Sequence, residues 1–96
     1  MDDIQHRAKL RRIIEKPAFS AALKKFLTQY PRFKDVWMTM KNDLQDFAHE
    51  GTVSSSSVRG YCLKRSARRF ETPSFAFYYS YNDDSVTVYN VEVVKS

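Results

Sequence analysis

The sequence predicts an α+β domain, an N-terminal helical hairpin packed on a small, mainly antiparallel sheet of three or four strands. Three observations carry this expectation. Apolar residues recur at helical spacing from Phe19 to Ala48. Two aromatic and valine-rich runs, FAFYYSY and VTVYNVEVV, flank an Asn-Asp-Asp-Ser turn in the second half. The chain has 96 residues, enough for one core, because a second would leave each half too small to bury sufficient surface.

Residues 1–12 are polar and basic, with a thin apolar pattern at Ile4, Ala8 and Leu10, and read as a flexible tail or a short extra helix. Residues 13–15 are β-branched until Glu15 and form either a short first strand or the end of that helix. Pro17 pushes Lys16 away from helical ψ, so the chain breaks there in either case. The helical hairpin then runs to residue 51. Phe19, Ala22, Leu23, Phe26, Leu27 and Tyr30 form one apolar stripe behind a first-turn proline. Tyr30-Pro31-Arg32 is a short turn, and Phe33, Val36, Trp37, Met40, Leu44, Phe47 and Ala48 repeat the spacing. The stripes, with Trp37, Met38 and Met40, are read as core. Gly51 stands where a C-cap belongs.

The segment TVSSSS, residues 52–57, reads as a flexible connector, and the sheet is expected within 58–95. In residues 61–66 strand alternation places Tyr61, Leu63 and Arg65 on one face and Cys62, Lys64 and Ser66 on the other. Residues 75–81 and 86–94 are the strongest strands and pair through the turn at 82–85.

The composition narrows the function. With 43% hydrophobic and 15% aromatic residues the chain is not disordered, and two Gly and three Pro exclude collagen-like repeats. There is no apolar run long enough to span a membrane. The charged N-terminus does not resemble a secretory signal, so a cytoplasmic protein is expected. A single cysteine, Cys62, excludes an internal disulfide and any multi-cysteine metal site, and no cofactor is expected. Sixteen Lys+Arg against eleven Asp+Glu give a net charge of +5, which favours polyanionic partners.

The basic cluster Arg59, Lys64, Arg65, Arg68 and Arg69 is the main functional signal, interleaved with Tyr61 and Phe70 and backed by Tyr78, Tyr79 and Tyr81. Cations suit phosphate and flat rings suit bases, although lysine and arginine also protect sheet edges. Glu92 is a candidate general base if it faces this cluster; otherwise it is a salt-bridge or solvent-facing position. Cationic neighbours would lower the pKa of Cys62, but a small buried strand residue is the plainer reading. His49 suits a helix C-terminus, and His6 has no partner at ligand spacing.

Residues 13–27, IIEKPAFSAALKKFL, resemble the opening of RelE/ParE-type toxins of bacterial toxin–antitoxin systems. The second helix, Arg59-Gly60-Tyr61 leading into Leu63-Lys64-Arg65, and the hairpin SFAFYYSYNDDSVTVYNVEVV follow the family order, so the likeness covers about residues 12–95. The resemblance implies a microbial-RNase-like fold and a cognate antitoxin. It also implies one of two targets: mRNA on the ribosome, cleaved without a metal, or DNA gyrase, poisoned without catalysis. For the ribonuclease, it points to Lys64, Arg65, Arg68 and Arg69 as the residues that hold and stabilise the scissile phosphate. Arg59, Tyr61 and Lys95 are the expected RNA-binding residues. Where the family carries an arginine before the Val-x-Tyr strand, this chain has Ser74-Phe75. The alternatives are a non-catalytic binder of protein or RNA on the same fold and a general nucleic-acid-binding module.

Overall fold

The computed structural model describes residues 10–53, 61–68 and 72–94. It is an α+β fold. A short strand β1 (Arg12–Glu15) leads into helix α1 (Pro17–Gln29) and helix α2 (Phe33–Phe47). A 3-10 turn (Ala48–Glu50) follows, then β2 (Thr52–Val53), β3 (Cys62–Arg65), β4 (Phe75–Tyr81) and β5 (Ser85–Val93). The two open readings of residues 13–15 resolve to a strand. Ile13 pairs with Val86 in a parallel ladder, and the Lys16 amide extends it by donating to the Val88 carbonyl at 3.1 Å. Lys16 is extended (ψ 154°), as a residue before proline must be, and Pro17 opens α1.

The sheet is larger than the sequence suggested. It has five strands in the order β1-β5-β4-β3-β2, antiparallel except for the β1–β5 pair. The fifth strand comes from Thr52–Val53, which were read as connector and in fact pair with Leu63 and Cys62. Two residues have too little pattern to announce a strand; the edge of β3 recruits them. The remainder of that predicted connector, 54–57, and residues 1–9 lie outside the described residues.

Both helices pack on one face of the sheet, and the core forms between. Phe19, Phe33, Leu44, Phe75, Phe77, Tyr79, Val86 and Val88 are fully buried. Trp37 stacks on Phe77 at 5.7 Å between ring centroids and lies 4.9 Å from Phe19, while Phe33 meets Phe75 edge-on at 4.6 Å. Three stripe assignments need correction. Met38, Leu27 and Phe47 are exposed, at 50%, 39% and 46%. Each sits at the flank of its helix, beyond the width of sheet available to cover it.

Gly51 caps the 3-10 turn, as its place in the sequence suggests, but it is a glycine for space and not for a left-handed backbone. Its backbone is extended (φ −72°, ψ 162°). A Cβ there would run into the Tyr79 hydroxyl and lie 2.9 Å from its Cζ. That hydroxyl donates to the Ala48 carbonyl, which also accepts from the Gly51 amide at 3.3 Å. The 82–85 turn forms as expected, with the Asn82 side-chain oxygen accepting from the Asp84 and Ser85 amides at 2.8 Å each.

Strand β5 does not alternate throughout. Tyr78 pairs with Asn90 but Tyr79 pairs with Val88, so Tyr89 is an extra residue, a β-bulge. The Asn90 side chain turns back to accept from the Val91 amide at 2.9 Å. Strict alternation would put Asn90 and Glu92 on the same face as Val86 and Val88. The bulge instead brings Val91 and Val93 to the helix side with Val86 and Val88, and sends Glu92 to the other face.

Candidate functional site

The face of the sheet turned away from the helices gathers the chemistry. Opposed residues in a ladder share a face, so three rows can be read from the register. Arg65 on β3 faces Ala76 on β4, which faces Glu92 on β5. Leu63 faces Tyr78, which faces Asn90. Ser80 faces Thr87, which faces Ile14 on β1. Among these, Arg65, Asn90 and Glu92 are exposed and Tyr78, Ser80 and Thr87 half-buried.

Hydrogen bonds and stacking order this surface. The Tyr78 hydroxyl donates to Oε1 of Glu92 at 2.6 Å. That bond, with burial second, raises the ionisation of Tyr78 above its ordinary value near 10, against a smaller opposing pull from the positive charge of Arg65. Tyr61 stacks on Tyr89 with centroids 4.3 Å apart and planes 13° from parallel, and the Tyr89 and Ser80 hydroxyls lie 3.0 Å apart. The bulge is what presents Tyr89 here. Among the described residues Arg65 makes no side-chain hydrogen bond or ion pair.

The predicted cluster is only partly assembled. Lys64 does not join Arg65, because consecutive strand residues point to opposite faces. Its ammonium is on the helix side, paired with Asp43 of α2, and its side chain is only 10% exposed. Tyr79 likewise faces the helices, where burial raises its ionisation well above the usual phenol range. Tyr81 lies beside Arg11, whose guanidinium stands 5.3 Å above its ring. Arg68 is exposed in the connection after β3. Arg59, Arg69, Phe70 and Lys95 lie outside the described residues.

Arg65 occupies a margin. It ends β3, beyond the reach of β2, and borders a cleft of about 190 Å³ that Val36, Met40 and Asp43 of α2 also line. The β3–β4 connection that holds it is latched by Ser66, whose amide donates to the Phe75 carbonyl at 2.8 Å and whose hydroxyl accepts from the Phe75 amide at 2.9 Å.

Other candidates resolve to structural positions. Cys62 is partly buried on the helix side, and burial raises its thiol above the ordinary value, opposite to the lowering its neighbours in sequence suggested. Lys64, the cation beside it in sequence, is already neutralised by Asp43. His49 lies exposed in the 3-10 turn next to Glu50. Among the described residues no group of His, Cys, Asp and Glu is arranged to hold a metal, and no helix is long and apolar enough to cross a membrane.

Sequence reasoning missed the Tyr61–Tyr89 stack and the Tyr78–Glu92 bond. Both depend on the bulge, whose one sequence trace is Asn90 interrupting the valine alternation. Compared with known proteins, the chain matches no family model and no curated protein.

Proposed function

We propose that the chain is a RelE-like toxin, an endoribonuclease that cleaves ribosome-bound mRNA in the cytoplasm without a metal and is held in check by a cognate antitoxin. The observation that carries this reading is one face of the sheet. It places the guanidinium of Arg65, unpaired among the described residues, on the same face as the Tyr61–Tyr89 stack and the Tyr78–Glu92 pair. A guanidinium takes phosphate in bidentate fashion, and the half-buried Tyr61–Tyr89 stack offers an aromatic edge or outer ring face to an unstacked base. The likeness of residues 12–95 to RelE/ParE-type toxins supplies the ribosome and the antitoxin.

One observation favours a second reading on the same fold, a ParE-like gyrase poison or another non-catalytic binder. Lys64 is withdrawn to the helix side, so this face has fewer cations than the resemblance implies. Induced expression in a bacterial host, with growth followed and mRNA 5′ ends mapped in the same culture, separates the two. The ribonuclease reading expects arrest with new ends inside translated messages, and loss of both in Arg65→Ala. Arrest with intact mRNA and a DNA-damage response would replace it with the gyrase reading.

A further inference from the structure

We infer that Glu92 is the general base of this site, that Tyr78 positions it, and that the scissile phosphodiester lies between Glu92 and Arg65. The inference rests on the ribonuclease reading above and names the residue that moves the proton.

The geometry is a single cross-strand row. Arg65, Ala76 and Glu92 are in register on three adjacent strands of one face. The outer two are two strand spacings apart, about 10 Å between Cα atoms. The middle residue, Ala76, has only a methyl group and is 4% exposed, so the chemistry of the row lies in its two flanking side chains. Both flanking side chains are long enough to lean over it. Glu92 makes no salt bridge among the described residues, which removes the usual explanation of a strand glutamate. Its one partner among the described residues is the Tyr78 hydroxyl, bound to Oε1, and this leaves Oε2 to accept a proton.

The groups that face Glu92 are Tyr78 from β4 and, beyond Ala76, Arg65 from β3. The neutral phenol holds the carboxylate in one rotamer without neutralising it. The bond to Glu92, with burial second, raises its ionisation above the ordinary phenol value. Arg65 stands where negative charge would gather on the non-bridging phosphate oxygens.

The reaction this row performs is internal transesterification. The 2′-hydroxyl gives its proton to Oε2 of Glu92, the O2′–P bond forms and the P–O5′ bond breaks. The products are a 2′,3′-cyclic phosphate and a 5′-oxygen, which takes a proton from water; the Glu92 carboxylic acid then neutralises the resulting hydroxide. Only proton transfer and charge stabilisation are asked of the protein.

The test uses the full chain and ribosomes carrying a defined mRNA, under single-turnover conditions. Glu92→Gln keeps an acceptor for Tyr78 but cannot take the proton. It should slow cleavage about 100-fold or more while ribosome binding, read by cosedimentation, is unchanged. Glu92→Asp should retain the acid limb of the pH–rate profile at a lower rate, and Glu92→Gln should lose it. Tyr78→Phe should slow cleavage less than Glu92→Gln does. A 2′-deoxy nucleotide at the cut position should block cleavage by every form. A Glu92→Gln protein no more than about threefold slower than wild type, with the same pH profile, would overturn the assignment of Glu92 alone. Wild-type protein that leaves the message intact would overturn the ribonuclease reading and this inference with it.

Discussion

The two faces of the sheet are built from the same strands, one residue out of step, and they have opposite properties. Toward the helices, Phe75, Phe77, Tyr79, Val86 and Val88 have no exposed surface, and Val91 has 3%. On that side Lys64 is neutralised by Asp43, and the Tyr79 hydroxyl donates to the Ala48 carbonyl. On the other face the Tyr78 hydroxyl donates to Glu92, the Ser80 and Tyr89 hydroxyls pair with each other, and Arg65 is unpaired among the described residues. Burial and close packing hold the first face together; directed polar geometry arranges the second. Stability and chemistry are therefore assigned to separable sets of residues, and substitutions should separate them too.

The largest effect belongs to the helix side. Phe77 touches the rings of Phe19, Phe33 and Trp37. Phe77→Ala should cost about 3–5 kcal/mol, measured by chemical denaturation, and leave little folded protein. Next comes the crowding at Gly51. Gly51→Ala should cost about 2 kcal/mol by forcing Tyr79 off its carbonyl. In a Tyr79→Phe background the same substitution should cost less, and a double-mutant cycle that shows strict additivity would refute the contact.

The Lys64–Asp43 pair sharpens the boundary between the faces. Asp43→Ala leaves a nearly buried ammonium unpaired and should destabilise by about 1–2 kcal/mol, whereas Lys64→Met should cost less. If Lys64→Met abolished RNA cleavage while folding normally, the division drawn between Lys64 and Arg65 would fail.

A titration tests the same division. Tyr79 and Cys62, both on the helix side, have ionisations raised by burial. For each, the folded state holds its proton after the unfolded state has released it. The associated stability is complete below the unfolded values, near 9.0 for the thiol and 10.0 for the phenol, and is lost as pH rises above them. Stability should be level through neutral pH and fall from about pH 9 upward. Tyr79→Phe should flatten most of that fall. The smallest effect on stability is expected at Arg65, where Ala should change it by no more than about 0.5 kcal/mol while, on the proposed ribonuclease reading, removing RNA binding.

Much of this fold is legible in the sequence because helical and strand periods are local. The stripe from Phe19 to Tyr30, the break at Pro17, the second stripe ending near Ala48 and the hairpin about Asn82 appear at or within a residue or two of their predicted places. The site is less legible. Arg65 and Tyr61 could be named from their spacing, but Lys64 was grouped with them by proximity in the chain although alternation already set it on the other side. Met38 and Phe47 are apolar residues near the stripes, and how wide a stripe is buried depends on how much sheet lies beneath it.

By itself, then, the sequence determined the class of each long element, the turns between them and the basic aromatic character of residues 59–81. Each of these follows from torsional preference and side-chain period over a few neighbours. Tertiary structure alone decided that Thr52–Val53 would become a fifth strand, that β1 would lie parallel to β5, and that Tyr89 would bulge. The bulge decided which face receives Glu92. Those outcomes are set by ladder pairing between residues far apart in the chain, where one slipped register moves every later side chain to the opposite face.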